Sequence, residues 1–315
     1  MTRPRPVFKN SVSFLTRRVV GQQFLLRPDA VSANAYRYSL ALSARKFNWK
    51  VQYYAAQQMS NHDHSVLFDE DAVRSEYLSH KNSVLARSMN ALRKRKGVFW
   101  EATTTKDKID LRERHEVLSS IVYTLCNPVA ANLCDYPHEW PGTVGDWRQL
   151  LTVPITATRP LHFFNQAPPD KGGTPVSVLF YLSKPGCFGD LTKGQYEELI
   201  RGAVQEECER LHALREGPSL GAEAALRLDP STVPFNLDTE IDRDYKRFRG
   251  DPESVGRLAE AWIAWVAAYM EARRRWRRGE RQGVVFPPGT DAYRRLEDAP
   301  TAPLDPDSPF AFQHT

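Results

Sequence analysis

Residues 12–20 (VSFLTRRVV) are rich in β-branched and aromatic side chains and predict a strand; 48–56 (NWKVQYYAA) alternates well enough for a second, and 64–68 (HSVLF) makes a third. Between the first two, an apolar stripe of Ala30, Val31, Tyr36, Leu40 and Leu42 predicts a helix running to about Lys46, with Asp29 or Ser32 as its N-cap. A longer amphipathic helix is predicted over 70–94, where Ala72, Tyr77, Leu78, Leu85, Met89 and Leu92 fall near helical spacing. It ends in Arg93-Lys94-Arg95-Lys96-Gly97, cations at the negative end of the helix dipole followed by a C′ glycine. A short β segment at 99–111 and a helix from about Arg112 to Cys126, stopped by Pro128, complete the series. The order β-α-β-β-α-β-α predicts one antiparallel sheet with helices on one face, an α+β fold.

Beyond Trp147 the texture changes. Residues 151–176 carry five prolines and the loop PPDKGG, which read as a linker or crossing segment. A strand at 177–183, a helix at 192–215 capped by Thr192 and another at 252–281 follow. The division expected is a first domain at 1–150, a mainly helical C-terminal extension at 151–300 with a DNA-binding or supporting role, and a disordered Pro- and Asp-rich tail at 301–315.

Composition adds few constraints. Hydrophobic residues are 41% and charged residues 26%, enough for a real core without a disulfide or metal staple. No window has the ~18–20 apolar residues of a membrane span, and the basic start lacks the apolar stretch of a secretory signal. Cys126, Cys134, Cys187 and Cys208 lack C-x-x-C spacing, so reduced thiols are expected, with Cys126 and Cys134 the pair able to approach each other. Charge is more informative by region. The chain carries +5, yet residues 1–50 hold ten Lys/Arg against one Asp, which leaves the remainder slightly acidic. Such asymmetry suits a polyanion, although a solvated surface has the same composition.

Three features carry candidate chemistry. In Asn61-His62-Asp63-His64, residues i and i+2 of a strand share a face, so both imidazoles are placed to hold one metal ion. In IVYTLCNPV, Tyr123 and Asn127 are four apart and stack on one helix face, a phenol beside an amide oxygen. Each motif has an ordinary reading as well: paired surface or core histidines, a core tyrosine, a helix-capping asparagine. The third feature is basic surface: Arg17, Arg18, Arg27, Arg93, Lys94, Arg95 and Lys96 flank the strands, and Arg273, Arg274, Arg275, Arg277, Arg278 and Arg281 surround Trp276. Arginines interleaved with an aromatic suit unpaired bases and phosphates; cations closing a helix are also favoured by its dipole.

Together the segments RPVFKNSVSFLTRRVVGQQFLLRPD, MSNHDHSVL and YTLCNPVAANLCDYPHEWPG resemble the REP-associated tyrosine transposases, within the single-tyrosine HUH transposases. The resemblance covers about residues 4–148; LSKPGCFGDLT and WRRGERQGVVFPPGT resemble the extension of a longer subgroup. It implies the ferredoxin/RRM-like HUH fold and a bacterial DNA transposase. Tyr123 would be the nucleophile, and His62, His64 and Asn127 would be ligands of Mg²⁺ or Mn²⁺. The substrate implied is single-stranded DNA beside hairpin REP-like elements, cut through a 5′-phosphotyrosine. No nucleotide cofactor is implied, since no G-x-x-x-x-G-K-[ST] loop occurs. A cytoplasmic, nucleoid-associated monomer or homodimer is expected, with Tyr123 acting in cis. The position between the histidines is usually hydrophobic in that family and is Asp63 here, which on a strand faces away from the metal. The alternatives are a domesticated form, a non-catalytic hairpin-DNA-binding protein, and another HUH nickase, which would commonly bring a helicase domain or second tyrosine.

Overall fold

Strand β1 (Ser11–Arg18) lies between β3 (His62–Asp69) and β4 (Lys108–Ile109), and β2 (Val51–Gln58) completes a four-stranded sheet in the order β2-β3-β1-β4. Every neighbouring pair is antiparallel. The computed structural model describes residues 7–101, 108–109, 113–234, 252–290, 297–303 and 305. With α1 (Ala30–Lys46) between β1 and β2, and α2 (Arg74–Leu92) between β3 and β4, the sheet is a split βαβ arrangement. The α+β fold with an antiparallel sheet is therefore as the pattern predicts.

Local chemistry explains where the elements start. Asp29 caps α1: its carboxylate accepts from Ser32 N–H at 3.0 Å. It also accepts from Arg93 at 2.7 Å and Arg27 at 3.3 Å. Burial alone would raise its pKa, but the Ser32 amide and the two guanidiniums outweigh that and leave it below the usual carboxylate range. Asp69, at the end of β3, similarly accepts from Val73 N–H and Arg74 N–H at the start of α2.

Alternation in β3 sorts its side chains between two environments. Asp63 faces α1 and α2, where Lys81 Nζ donates to it at 2.7 Å and Tyr36 Oη at 3.1 Å. Both ionised side chains are only 2% exposed. His62 and His64 face the other way, beside Arg18 and Thr16 of β1, their partners in register. The expectation of helices on one face holds for α1 and α2. It does not hold for α3 (Arg114–Ala130), which covers the histidine face: His62 and His64 meet Asn127 and Tyr123 there. The strand-order pattern could not foresee this, because a helix after the last strand is free to cross either face.

The helix α3 also runs past its predicted stop. Pro128 lies inside the last turn, which is closed by Ala131 N–H to Asn127 O and Leu133 N–H to Pro128 O, both 2.9 Å. With Val129 buried, packing outweighs the local preference against a helical residue before proline. Behind α3 lies α4 (Lys193–Leu214), capped by Thr192, with Tyr196, Ile200, Val204 and Cys208 buried in one stripe. Cys126 Sγ stands 4.0 Å from Cys208 Sγ of α4, a neighbour the spacing did not suggest, and Cys134 also lies near enough to act on it electrostatically.

The WPG segment closes the outer edge of β2. Trp140 Nε1–H donates to Gln58 O at 2.8 Å, and Gln58 N–H donates to Gly142 O at 2.9 Å. A Cβ on residue 142 would lie 1.9 Å from Gln58 O, so only glycine permits this approach. The proline-rich stretch contains a strand, β5 (Ile155–Thr158), paired with β6 (Ser177–Phe180). A short helix, α5 (Ala222–Arg227), was not predicted. One core runs from Phe14 to Ala225. A second joins Phe8 to α6 (Pro252–Arg277) through Trp265, Tyr269, Trp276 and Phe286. Most of the expected disordered tail, 301–315, lies outside the described residues. Among those described, no helix is long and apolar enough to cross a membrane.

Two consequences are measurable. Removing one member of a buried ion pair strands the other, at about 3–5 kcal/mol. Asp63→Val and Lys81→Met should each lose about that much in urea denaturation, whereas the double variant loses clearly less than the sum. Additive losses would mean that the two groups do not act as a pair. Asp29, with its folded pKa depressed, adds stability that is present above the unfolded value of ~3.9 and is lost as pH falls through the folded one. Below pH ~4 the wild type should therefore lose stability that Asp29→Asn never had. Parallel acid profiles for the two proteins would count against the cap.

Candidate active site

The side chains of β3 and α3 meet over the centre of the sheet. His62 Nε2 lies 3.3 Å from Asn127 Oδ1. The His62 and His64 rings are 4.7 Å apart centre to centre, and His64 and Tyr123 are 5.4 Å apart, edge to face. Phe14 of β1 stacks on His64 at 5.4 Å and meets Tyr123 edge-on at 5.6 Å, forming a wall for the phenol. The Asn127 amide also hydrogen-bonds the Tyr123 hydroxyl, so one side chain bridges the phenol and an imidazole. Asn127 sits within α3, not at its cap. His62, His64, Tyr123 and Asn127 are thus brought together within one chain.

Both imidazoles are oriented by neighbours. His62 Nδ1 lies 2.6 Å from Asn61 Oδ1, which can only accept there from an Nδ1–H tautomer, and His64 Nδ1 shares a hydrogen bond with Thr16 Oγ1 at 2.9 Å. A ring whose Nδ1 carries the proton keeps a lone pair on Nε2, the arrangement that metal-binding histidines use. Burial, and then the nearby Arg18, push the His62 pKa down to about 4, so the ring is neutral at neutral pH. Its Nε2 lies 3.3 Å from Asn127 Oδ1, a hydrogen bond when the ring carries its proton on Nε2, and this bond works against the downward shift. With the ring proton on Nδ1 instead, Nε2 and Oδ1 are both acceptors, and a cation held by the two would satisfy them. The donor set, two imidazoles and an amide oxygen, fits a divalent ion of borderline character and leaves positions for oxygen ligands. Among the described residues no cluster of three or more His, Cys, Asp or Glu forms an alternative metal site.

Tyr123 is half-exposed although it lies on the inner turn of α3. Burial raises its pKa, while Arg18 and the Asn127 bond lower it, with burial the larger effect. Arg18 acts on both Tyr123 and His62 because it is the cross-strand neighbour of His62 on the same face.

The remaining basic residues divide into two groups. Arg27 bonds Leu228 O and Asp29, and Arg93 bonds Leu25 O, Arg27 O and Asp29, so both join α1, α2 and α5 internally. Arg95 holds its own turn through Asn90 Oδ1 and Val98 O. Arg17 lies over Trp100 at 5.8 Å, on the opposite face of the sheet. Lys94 and Lys96 are exposed, and Arg18 alone of the group stands at the histidines. Sequence reasoning missed Thr16, Asn61 and Phe14. Their only available signal was position: Thr16 two residues before Arg18, and Asn61 beside the histidine pair.

No protein-family model and no curated protein matches the chain. Among solved structures, the chain is similar to a REP-associated tyrosine transposase bound to a REP hairpin. The match has a TM-score of 0.39 and 14% identity, and covers 45% of this chain and 81% of that one.

If Asn61 and Thr16 set the tautomers, Asn61→Ala and Thr16→Val should each raise the Nε2–H population of the adjacent ring at neutral pH. Imidazole ¹⁵N shifts in the folded variants read this directly. Unaltered tautomer ratios would deny the two residues that role.

Proposed function

We infer that this protein cuts and rejoins single-stranded DNA, beside hairpin elements, through a covalent bond to Tyr123. The observation that carries this reading is the meeting of a half-exposed phenol with two oriented imidazoles and an amide over one patch of sheet. A structural tyrosine needs no such company, and a structural histidine pair does not need both Nδ1 atoms engaged by dedicated side chains. The basic N-terminal region, with Arg18 at the site, suits a polyanionic substrate.

His62 and His64, through Nε2, and Asn127, through Oδ1, would hold Mg²⁺ or Mn²⁺, which when bound would withdraw charge from a phosphate oxygen. The steps belong to the chain. Asn127 orients the Tyr123 hydroxyl, and Phe14 supports the ring. The phenol must lose its proton, and the exposed side of Tyr123 gives that proton a path to solvent. The Arg18 guanidinium favours the resulting phenolate electrostatically. Tyr123 Oη then forms a bond to phosphorus as the bond from phosphorus to the 3′-oxygen breaks. The 3′-oxygen takes up a proton and leaves as a hydroxyl, and the 5′-phosphate stays on Tyr123. Attack by a later 3′-hydroxyl reverses the step, and the phosphodiester is restored without ATP. All the groups involved come from one chain, which favours action in cis.

Asp63, polar where the family pattern is hydrophobic, would favour a non-catalytic protein if it marked a site under relaxed constraint. Its bonds to Lys81 and Tyr36 give it a structural reason for being there, on the far face from the histidines.

Tyr123→Phe should abolish the denaturation-resistant protein–DNA adduct formed with a labelled hairpin oligonucleotide bearing a single-stranded flank, with DNA affinity nearly unchanged. Nicking by the Phe variant at the wild-type rate would remove Tyr123 from the chemistry. The double change His62→Ala, His64→Ala should lose Mn²⁺ binding in calorimetric titration while remaining folded. Retained affinity would reject the proposed ligand set.

A further inference from the structure

The arginine-rich end of α6 lies away from the site above, and the structure separates its arginines by what they touch. Trp276 is buried, donates from Nε1 to Glu297 Oε2 at 2.6 Å and is covered by the Arg281 guanidinium at 3.9 Å. It packs with Tyr269, Phe286 and Phe8 in the second core, so it is not free to stack on a base. Arg281 also donates to Trp276 O at 2.7 Å. Arg275 reaches Glu280 at 2.7 Å and the Gly283 and Gln282 carbonyls at 3.3 Å, which closes the helix. Arg275 and Arg281 are therefore structural.

Arg274, Arg277 and Arg278 are different. Spaced i, i+3, i+4, they share the face opposite Trp265, Tyr269, Ala272 and Trp276, and all three are exposed. With Ala267, Met270, Glu271 and the half-buried Arg273 they line an open groove of about 560 Å³. Arg274 is paired with Glu271; Arg277 and Arg278 have no partner among the described residues. The helix dipole favours any cation in the last turn alike, and it leaves the guanidiniums of Arg277 and Arg278 free to take a ligand. Among the described residues the groove presents four guanidiniums, Arg273 included, against one carboxylate, on a helix whose other side joins Phe8 in the second core.

The geometry points to this face as a second DNA contact, which holds the phosphate backbone through Arg274, Arg277 and Arg278 without reading sequence. It rests on the DNA-processing reading of the first site and extends it: the C-terminal part of the chain grips substrate that the Tyr123 site cuts. Phosphate is the chemistry that matches a planar, permanently charged donor cluster whose lining, among the described residues, includes no aromatic side chain. Contacts of this kind position a nucleic acid and contribute affinity that falls with salt.

The test is fluorescence anisotropy with a fluorescein-labelled hairpin oligonucleotide carrying a single-stranded flank, and with an unrelated oligonucleotide of equal length, across a salt series. The triple variant Arg274→Gln, Arg277→Gln, Arg278→Gln keeps helix-forming side chains and leaves Arg275 and Arg281 in place. Each lost phosphate contact lowers the log–log salt slope by about 1. The variant should therefore show a slope smaller by about 2–3, and binding at least about tenfold weaker for both oligonucleotides at low salt. The corresponding triple Lys variant should keep most of the slope. A Gln variant with wild-type slope and affinity, in a protein that still forms the Tyr123 adduct, overturns the second contact and leaves the first site standing. A wild type that binds neither oligonucleotide overturns both.

Discussion

The direction in which β3 faces rests on a buried ion pair. A strand alternates with a period of two, so a slip of one residue would carry both histidines into the core and bring Asp63 out over the site. Burying a carboxylate and an ammonium is unfavourable unless each finds the other, and Lys81 is positioned on α2 to meet Asp63 at 2.7 Å. A slipped register would leave the Lys81 ammonium buried and unpaired. The pair thus adds little net stability over an apolar pair of the same size, yet strongly disfavours the wrong register. Tyr36, donating to the same carboxylate from α1, ties the second helix to that choice.

With β3 fixed, the other half of the site depends on where α3 lies. Its sheet-facing side supplies Asn127 and Tyr123, and its outer side is covered by α4, where Cys126 meets Cys208 and the Val204 carbonyl. A helix packed on both sides has little freedom to rotate, and a rotation of one residue, about 100°, would take Tyr123 off the histidines. Helix α4 therefore bears on the proposed chemistry indirectly, by holding the helix that would carry it. Close packing transmits such constraints because the interior has few voids to absorb a shift.

How much of this was legible in the sequence follows from the range of each interaction. The Asp29 and Thr192 caps, the strand alternation and the helical pairing of Tyr123 with Asn127 are local, and the order of elements followed from them. Pro128 misled because the local cost of a proline was outweighed by burial of the turn beyond it. Arg27 and Arg93 look like any surface arginines in sequence; their inward bonds depend on Asp29, Leu25 and Leu228 arriving from other elements. Trp276 among arginines reads equally well as a base-stacking platform or as core, and its packing against Phe8, some 268 positions away by sequence number, decides for core. Thr16 and Asn61 were invisible as site residues because a hydroxyl or amide becomes an orienting group only when a ring nitrogen is placed against it.

The chemistry and the scaffold meet in the protonation of the site. Burial that holds the site together also raises the Tyr123 pKa, which works against the phenolate that the proposed attack requires. The same burial lowers the His62 pKa, and that works in favour of a lone pair on Nε2. One environment thus disfavours charge on both groups, and for one of them the neutral form is the useful one. Arg18 is the residue that treats them differently in effect: its charge disfavours an imidazolium and favours a phenolate, so it pushes both towards the forms the proposed reaction needs. It can act on both because antiparallel pairing sets Arg18 directly across from His62, on the face that α3 covers. The cation at this position is therefore the electrostatic counterpart of the Asp63–Lys81 pair beneath it: the pair decides which face carries the imidazoles, and Arg18 biases the protonation state of what that face carries.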